Sequence, residues 1–469
     1  MAQVSTSAPL SGKARCGLTA KGWRRARREA LLSGDGRLIS KLTQGITTEI
    51  MGDQADSKFR GPHSFDRWLR AMEARGSSAN FGSFTGGGTI RAFGKGFAMG
   101  ESGPAELASM QGALRETMED GSFGLATALI YPPGSYASTE ELIALAKTMA
   151  PFGGLYISHI RSEAEKLLEA LAETARISQE GGVPAEVYHL KAAGRKYWKL
   201  MDPAIEFLNQ SRAHGIDIQA NLYPYEASGT ALTAMLPDWS AADGKLWANL
   251  DNADTRKRIA AEMLQNNKGR DPDLVQPIGL TKTANLQYKG MRLNQIAAQM
   301  QLPWPEAVMA LLRSERQTIS TIYYTINEAN IAKQLQQPWI KVATDSGGVD
   351  PAVTKGPTHP RTYGTYPRVL GFYVRELKTI GLEDAVFKMS SSVATRLSLH
   401  DRGLLRPGLW ADLVVFDPAS VKDVATFDSP NRLSTGIRQV VVNGVVVVDK
   451  NVHTGAKPGK LLRGPGYQK

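Results

Sequence analysis

The chain has 469 residues, of which 42% are apolar. That composition supports a large core and two domains, since a single core stops growing at about 250–300 residues. The sequence has no run of about 18 apolar residues, which argues against a membrane-spanning helix, and its one cysteine, Cys16, excludes both an intrachain disulfide and a cysteine-based zinc site. The lone cysteine and the lack of an apolar secretory segment after Met1 predict a reducing, cytoplasmic location.

The net charge of +11 is concentrated near the start of the chain, where residues 1–41 hold nine Lys or Arg residues and two acidic ones. The remainder shows neither a zinc-finger spacing nor the aromatic signature of an RNA-binding domain, so no nucleic-acid partner is expected. The stretch GWRRARREALL (residues 22–32) is interpreted as a solvated helix face or a disordered arm. Because the stretch is rich in arginine and poor in acidic residues, a targeting segment is the alternative.

From residue 45 onwards, strand-like and helical patterns alternate along the chain. Strands are predicted at residues 45–52, 79–86, 122–132, 153–160, 184–191 and 216–225. Helices are predicted between them at residues 64–75, 104–121, 138–150, 162–180 and 197–213. Such alternation predicts parallel strands joined by right-handed crossovers. Six such strands without a doubly wound switch point favour a β/α (TIM-like) barrel. No glycine-rich phosphate loop follows a strand, which argues against nucleotide binding.

The rhythm breaks at residues 226–317, which are interpreted as an insertion or lid. Two further strands are predicted at residues 320–325 and 339–346. From about residue 404 the pattern becomes antiparallel β, and the Asn443-Gly444 pair between two valine-rich runs predicts a hairpin with a type I′ turn. The predicted organisation is a basic segment (1–40), a barrel domain (41–400) and a small β domain (401–469).

Chemistry-bearing side chains stand at the ends of the predicted strands. In a β/α barrel the active site lies at the carboxyl ends of the strands. His159 ends one strand, and His189 ends the next, thirty residues later, which is the length of one βα unit. Tyr223 and Asp345 end two further strands. Two imidazoles and a carboxylate at one rim predict a zinc-type metal site, and an open coordination position would make it catalytic.

Two cationic residues accompany these side chains. Lys191 lies two residues after His189, which places both on the same side of an extended strand. A positive charge beside a metal needs an anion to face, and the carboxylate of a small-molecule substrate would serve. Arg361, in the turn THPRTYG, is a second candidate because guanidinium can bind a carboxylate through two parallel hydrogen bonds.

The other histidines are interpreted differently. Four of them are expected at the surface: His63, His214, His400 and His453. His359, in the segment GPTHPRTYGTYPR, receives no assignment.

Six segments carry a family resemblance: YISHIRSE, EVYHLKAAG, NLYPYEASGT, VATDSGG, THPRTYGTYPRVLG and RGLLRPGLWADLVVFDPA. Together they resemble the N-acyl-D-amino-acid deacylases (D-aminoacylases) of the amidohydrolase superfamily. The resemblance extends from about residue 40 to residue 465. It implies a metal-dependent hydrolase barrel with a small C-terminal β-sandwich domain and with zinc at the rim.

The resemblance also implies roles for individual residues. His159 and His189 correspond to two single-histidine metal ligands, and Asp345 corresponds to an aspartate that transfers protons and can also contact the metal. The residues that hold the substrate carboxylate correspond to Lys191, Tyr223 and Arg361. Gly229 stands where many members have a serine.

The sequence departs from the family pattern in two places. No two histidines are two residues apart, and residues 1–38 show no strand pattern, so the barrel is expected to lack its first strand with its His-x-His pair. The predicted strand at residues 45–52 is followed by Asp53 and Gln54 where the family has a metal-binding cysteine or carboxylate, and Gln54 is a poor zinc ligand. A one-metal site remains, formed by the two strand-end histidines with Asp53 or Asp345.

The expected reaction is zinc-dependent hydrolysis of N-acyl-D-amino acids to a carboxylate and a D-amino acid. One alternative is a cyclic-amide hydrolase related to dihydroorotases and hydantoinases. The other is an inactive remnant that lacks the His-x-His metal strand. Neither the acyl group, the preferred side chain nor the oligomeric state follows from the sequence.

Overall fold

The computed structural model describes the backbone of residues 12–14 and, in full, residues 35–52, 62–354 and 356–468. The strands, β1 to β16 in chain order, are Gly12–Ala14, Thr48–Met51, Asn80–Ser83, Thr85–Gly86, Gly124–Ala128, Leu155–His159, Ala185–Val187, Ile218–Leu222, Ser228–Ala231, Val275–Pro277, Ser320–Tyr323, Ile340–Val342, Leu413–Phe416, Ile437–Val442, Val445–Asp449 and Val452–His453.

The helices of the described residues comprise fifteen α-helices, one π-helix and several short 3₁₀ turns. The α-helices are Ile39–Leu42, Ser64–Arg75, Gly87–Gly94, Pro104–Glu119, Thr139–Met149, Leu167–Gly181, Met201–Ala213, Leu246–Asp251, Ala253–Gln265, Leu293–Met300, Trp304–Glu315, Glu328–Leu335, Arg361–Arg368, Leu382–Met389 and Ser391–Arg396. The π-helix, Val369–Glu376, continues directly from Arg361–Arg368. None of the helices in the described ranges is long and apolar enough to cross a membrane.

The central sheets are parallel, as the alternation of strands and helices predicts. One sheet has the order β12-β8-β7-β6-β5-β4, and a second has the order β1-β2-β3. Only Phe84 separates β3 from β4, so the chain passes directly from one sheet to the other. Parallel strands covered by helices on one face and by the core on the other are buried along their whole length, and every residue of β6 is buried.

The helices cover these sheets with one apolar face each. The helix Thr139–Met149 is typical: its N-cap is Ser138, whose hydroxyl accepts a hydrogen bond from the Glu141 amide at 3.2 Å, as the sequence predicts. Its buried residues include Leu142 and Leu145, at the three-residue spacing of an amphipathic helix.

The start of the chain differs from the sequence-based expectation. Residues 1–38 were expected to contain no strand, but the backbone of β1 pairs in parallel with β2, with Gly12 opposite Thr48 and Ala14 opposite Ile50. Sheet pairing uses backbone groups, and three residues are too few to show a side-chain alternation. A sequence pattern therefore cannot reveal a strand of this length.

The strand predicted at residues 320–325 also differs from the expectation, because it is not part of the parallel sheets. It forms β11, which pairs antiparallel with β9 and β10 instead of joining the parallel sheets. These three strands and the helices from Leu246 to Glu315 surround their own apolar cluster. Strand propensity does not specify which strand a segment pairs with. Here the pairing strands, β9 and β10, belong to the insertion.

The C-terminal part forms the predicted antiparallel sheet, with strands in the order β13-β14-β15-β16. Asn443 and Gly444 connect β14 to β15 with φ angles of 49° and 83°. Positive φ at both central residues is the requirement of a type I′ turn, so the predicted hairpin is confirmed.

Asp412 joins this sheet to the parallel sheets. Its side chain is fully buried and accepts hydrogen bonds from Arg402 Nη1 at 2.6 Å, from Asn80 Nδ2 at 2.9 Å and from the Asn443 amide at 2.8 Å. Arg402 is itself 2% exposed, so the two charges compensate each other out of contact with water.

We expect Asp412→Ala to lower the free energy of unfolding by about 3–5 kcal/mol, because it leaves the Arg402 guanidinium buried without its partner. The measurement is urea denaturation followed by circular dichroism. Arg438→Ala is the matched control, since it breaks an Arg–Asp pair on the solvent-exposed side of the same sheet and should change stability little. Equal effects of the two substitutions would contradict this role of Asp412.

Candidate active site

The side chains predicted to form the site converge at one end of the parallel sheet. His159 is the last residue of β6, and His189, Tyr223 and Asp345 follow β7, β8 and β12 within three residues. Since these four strands are consecutive neighbours in the sheet, their carboxyl ends lie side by side. Each of these residues is 4% exposed or less.

The loop that carries His189 has a backbone that the sequence did not suggest. The strand ends at Val187, so His189 and Lys191 lie beyond it, and the φ angle of His189 is 34°, in the left-handed region. Asn221 on β8 holds this conformation, because its side-chain oxygen accepts from the His189 amide at 2.8 Å and its carbonyl accepts from the Leu190 amide at 2.8 Å. Asn221 is therefore a positioning residue that sequence reasoning missed.

Three side chains within the described residues form a cluster that could hold a metal: His159, Glu163 and His189. Their potential ligand atoms lie within 4.8 Å of one another. The Glu163 Oε1 atom is 3.6 Å from His159 Nε2 and 3.1 Å from His189 Nδ1. The imidazole rings meet edge to face, with centroids 4.6 Å apart.

Glu163 is the acidic member of the cluster, and sequence reasoning gave it no role. It lies in the loop after β6, four residues beyond His159, and its side chain is 10% exposed. The backbone carbonyl of Glu163 accepts from the Ala193 amide at 2.6 Å, which joins this loop to the loop after β7. The only sequence signal was its place in the motif YISHIRSE, next to a predicted ligand.

The protonation of the cluster follows from burial and charge. Burial holds the pKa of His159 well below its ordinary value, so the imidazole is neutral and keeps a lone pair for a ligand. Burial alone would raise the pKa of Glu163, but the charge of Lys191 and the hydrogen bond with His189 outweigh it and hold that pKa well below its ordinary value. Glu163 is therefore a carboxylate.

The residues fit a divalent cation. Both ring nitrogens of His159 and Nε2 of His189 are buried without a hydrogen-bond partner. Buried polar atoms of this kind are rare unless they serve a ligand. Two imidazoles and a carboxylate are also the donor set of catalytic zinc sites that keep one position open.

Lys191 contacts the cluster more closely than sequence reasoning suggested. Its Nζ atom donates to Glu163 Oε1 at 2.6 Å and lies 2.6 Å from His189 Nδ1. Burial lowers the pKa of Lys191, and Glu163 works in the opposite direction. The lysine predicted to bind a substrate carboxylate thus already contacts a carboxylate of the protein.

A second ion pair lies beside the cluster. Arg361 Nη2 is 2.8 Å from Asp345 Oδ2, and neither side chain is more than 3% exposed. Arg361 is the first residue of its helix, and its Nη2 also donates to the Gly229 carbonyl at 3.2 Å. The Nε and Nη1 atoms of Arg361 and the Oδ1 atom of Asp345 are buried without a partner, so both groups retain open hydrogen-bonding positions.

The loop of Asp345 is also strained and braced. Its φ angle is 42°, in the left-handed region. The buried ammonium of Lys41 donates to Thr344 Oγ1 at 2.7 Å and to the Ser346 carbonyl at 2.8 Å, on either side of Asp345. Lys41 therefore fixes the loop that aims the carboxylate.

Tyr223 lies between the two ion pairs. Arg361 is 4.4 Å and Lys191 Nζ is 5.6 Å from the centroid of its ring. Burial raises the pKa of Tyr223 well above its ordinary value, so the hydroxyl remains protonated. This hydroxyl is buried without a partner and is available as a hydrogen-bond donor.

His359, left unassigned by the sequence, supports Arg361. Its Nε2 donates to the Ala227 carbonyl at 2.7 Å, and its Nδ1 accepts from the Arg361 amide at 3.1 Å. A side chain at Gly229 would begin 3.2 Å from the His359 ring, which leaves little room for the serine of the family pattern.

Asp53, predicted as a metal ligand, lies outside the described residues.

A cavity of about 700 Å³ opens beside Glu163. The loop after β6 forms one wall. The opposite wall comes from the insertion and includes Trp239, Lys268 and Arg270. The insertion predicted as a lid thus borders the space next to the cluster.

Comparison with known proteins finds relatives that match most of the chain. Residues 329–448 match the model of the amidohydrolase family. The chain is 30% identical over 444 residues to a D-aminoacylase of Alcaligenes xylosoxydans xylosoxydans, covering 91% of this chain and 82% of the relative. An N-acyl-D-aspartate deacylase of the same organism is 29% identical over 449 residues, covering 91% of this chain and 80% of the relative.

Solved structures show the same relationship. A D-aminoacylase structure superposes with a TM-score of 0.77 at 28% identity, covering 97% of this chain and 88% of the other. The N-acyl-D-glutamate deacylase of Bordetella bronchiseptica, in complex with zinc and a phosphonate inhibitor, superposes with a TM-score of 0.78 at 26% identity and the same coverage. The chain belongs to the D-aminoacylase family of N-acyl-D-amino-acid deacylases in the amidohydrolase superfamily, and it is a hydrolase of carbon–nitrogen bonds other than peptide bonds.

Proposed function

We propose that the protein hydrolyses the amide bond of N-acyl-D-amino acids with one zinc ion bound by His159, Glu163 and His189. The observation that carries the proposal is the pair of buried imidazoles with unpartnered nitrogens beside one carboxylate. The D-aminoacylase and deacylase relatives support the substrate class, and the zinc in the Bordetella structure supports the metal.

When bound, zinc lowers the pKa of a water molecule from 15.7 to about 7 and polarises a carbonyl. Asp345 accepts the proton of the attacking water at its unpartnered Oδ1 atom. It returns this proton to the leaving nitrogen, so it acts as a general base and then as a general acid. Arg361 holds the other oxygen of this carboxylate and so fixes which atom receives the proton.

The α-carboxylate of the substrate binds beside Tyr223. The free Nε and Nη1 atoms of Arg361 and the hydroxyl of Tyr223 offer three buried donors for it. Lys191 adds its positive charge, with its Nζ atom 5.6 Å from the centroid of the Tyr223 ring. This assignment keeps the three residues of the family pattern but gives most of the contact to Arg361 and Tyr223, since Lys191 contacts Glu163.

We infer that the two parallel sheets are parts of one β/α barrel. The strands β1, β2, β3 with β4, β5, β6, β7, β8 and β12 form a series of eight positions in which each pairs in parallel with the next or continues it. Eight parallel positions with helices between them are the number of a β/α barrel. Two solved D-hydantoinase structures superpose on the chain with TM-scores of 0.53 and 0.51 at 16% and 11% identity, a likeness that supports the fold and carries no information about the substrate.

Metal binding tests the proposal directly. We expect purified protein supplied with zinc to hold about one zinc per chain by elemental analysis, and His159→Ala and His189→Ala to reduce this to near background, because each removes one of three ligands. Glu163→Gln should weaken binding as well. The matched control is His214→Ala, an exposed histidine at the end of the helix Met201–Ala213, which should leave zinc content unchanged.

Circular dichroism would confirm that the variants are folded. Full zinc content in the double variant His159→Ala/His189→Ala would refute the site. A wild-type protein that takes up no zinc would favour the inactive remnant.

Carboxylate recognition is tested with a substrate pair, N-acetyl-D-methionine and its amide, which lacks the negative charge. Removing one partner of a desolvated charge pair costs about 2–5 kcal/mol, or roughly thirty- to several-thousand-fold in kcat/KM. We expect Arg361→Ala to reduce kcat/KM for the acid by that range and for the amide by much less. Lys191→Ala should act in the same direction with a smaller difference.

Arg368→Ala, on the same helix as Arg361 but paired with Glu328, is the control and should leave the acid-to-amide ratio unchanged. Equal losses on both substrates in Arg361→Ala would mean that this residue only positions Asp345.

A further inference from the structure

Polar side chains occupy one face of the parallel sheet next to the site. Glu186 is the middle residue of β7 and Lys341 is the middle residue of β12, while β8 between them contributes Gln219 and Asn221. In the ladder Glu186 is opposite Gln219, and Lys341 is opposite Asn221. Paired residues and residues two apart point to the same face of a sheet, so all four side chains share one face. Their neighbours along the three strands belong to the large apolar cluster on the other face.

Glu186 is held at both of its carboxylate oxygens. Its Oε2 atom accepts from Lys341 Nζ at 3.2 Å and from Arg396 Nε at 3.3 Å. Its Oε1 atom accepts from the side-chain nitrogen of Asn221 at 3.3 Å. The side chains of Glu186, Lys341 and Arg396 are 3%, 4% and 7% exposed, so these contacts are shielded from water.

Stability alone does not account for this arrangement. Burial lowers the pKa of Lys341 to about 8, although Glu186 acts in the opposite direction, so the ammonium is kept here at a cost. Buried ionic groups of this kind can often be replaced by apolar residues of similar volume without loss of stability. The contact between Glu186 and Asn221 gives the buried charges a role in the site.

The charge of Glu186 determines which way the Asn221 amide faces. A carboxylate only accepts hydrogen bonds, whereas a side-chain amide has a donor end and an acceptor end. The NH₂ end of Asn221 therefore faces Glu186, and its oxygen faces the loop after β7, where it accepts from the His189 amide at 2.8 Å. The reverse orientation would place oxygen against oxygen at one end and N–H against N–H at the other.

Of the two imidazoles, His189 is the one that needs this support. His159 belongs to β6, where it is paired with Ala128 of β5 in the ladder. His189 lies beyond the end of β7 with a φ angle of 34°, a conformation that a residue other than glycine keeps only when its surroundings enforce it. Because the Asn221 oxygen ties this backbone to β8, the position of the His189 imidazole depends on the orientation of one amide.

We propose that Glu186 is a positioning residue of the metal site. Through Asn221 it holds the loop conformation in which the His189 imidazole joins the site, and Lys341 and Arg396 hold its carboxylate in place. The inference rests on the proposed function, since it takes zinc as the ligand of His189. It predicts that a substitution at Glu186, two contacts away from the imidazole, weakens zinc binding.

Zinc affinity of the full chain, measured by competition with a chromophoric chelator, tests the proposal. In Glu186→Gln the two cations retain the oxygen of the new amide, because they can only donate, and its NH₂ end faces Asn221. Asn221 then turns its oxygen away from His189. We expect zinc to bind about tenfold more weakly, the lower end of the loss that is typical for outer partners of metal ligands.

A second substitution separates positioning from a general loss of stability. In the double variant Glu186→Gln/Asn221→Asp, donor and acceptor are exchanged. The new amide donates to the new carboxylate, whose other oxygen accepts from the His189 amide, so this variant should recover most of the wild-type zinc affinity. Asn221→Asp alone should bind zinc no more tightly than the wild type, because it places two carboxylates against each other, so the recovery would not be an additive gain.

Glu141→Gln is the matched control, since it makes the same change at an equally buried glutamate that pairs with Arg91, and it should leave zinc affinity unchanged. Should Glu186→Gln fail to fold by circular dichroism, Glu186→Gln/Lys341→Met removes two opposite charges together and gives the same measurement. Wild-type zinc affinity in these Glu186 variants, or no recovery when Asn221→Asp is added, would overturn the proposal.

Failure of the proposed function would look different. A protein that binds zinc but hydrolyses no N-acyl-D-amino acid would refute the proposed activity, while the order of zinc affinities among the variants would still decide the role of Glu186. A wild-type protein that binds no zinc would overturn both.

Discussion

The carboxylate of Glu163 is the interaction on which the rest of the site depends. His159, His189 and Lys191 bring three basic groups into one buried space, and Glu163 Oε1 lies within 3.6 Å of a nitrogen of each. Without this negative charge, the ammonium of Lys191 would be buried without its ion-pair partner, a situation that typically costs about 3–5 kcal/mol. The backbone of Glu163 also joins the two loops that carry the histidines. One residue thus compensates the charges and holds the loops.

The parallel sheet determines which residues can meet there. Because β6, β7, β8 and β12 are neighbours, four loops separated by up to 186 residues along the chain begin at one edge. Two of these loops carry left-handed residues, His189 and Asp345, at the points where side chains turn into the site. Each is held by a buried polar neighbour, Asn221 or Lys41, so the surrounding structure pays for the strain that aims the functional groups.

The sequence predicted best what depends on periodicity. The helix Ser64–Arg75 has the predicted bounds, and the distance of one βα unit between His159 and His189 correctly indicated neighbouring strands, although His189 lies two residues beyond the end of its strand. Glu163 was not predicted because a loop residue follows no period, and its proximity to His189 depends on how two loops fold.

Other differences have the same physical origin. The strand at residues 320–323 was recognised as a strand but not as a member of the insertion sheet, since propensity reports conformation and not partners. The His189–Lys191 proximity was expected from strand alternation, yet the strand ends at Val187 and the contact arises from a left-handed turn. The predicted proximity of His189 and Lys191 is therefore correct, but the extended strand from which it was predicted is replaced by a turn at these residues.

In the two ion pairs of the site, metal binding and proton transfer compete with substrate binding for the same charged side chains. Glu163 Oε1 contacts Lys191, and Asp345 Oδ2 contacts Arg361, so each carboxylate assigned to metal or proton chemistry is paired with a cation assigned to the substrate. A metal cation at the imidazoles and the ammonium of Lys191 attract the same Glu163 oxygen, and like charges repel at that distance. An added substrate carboxylate would give Lys191 a second anion. Binding of the metal and binding of the substrate carboxylate therefore favour each other. The metal draws the Glu163 carboxylate away from Lys191, and the substrate carboxylate then compensates the charge of Lys191.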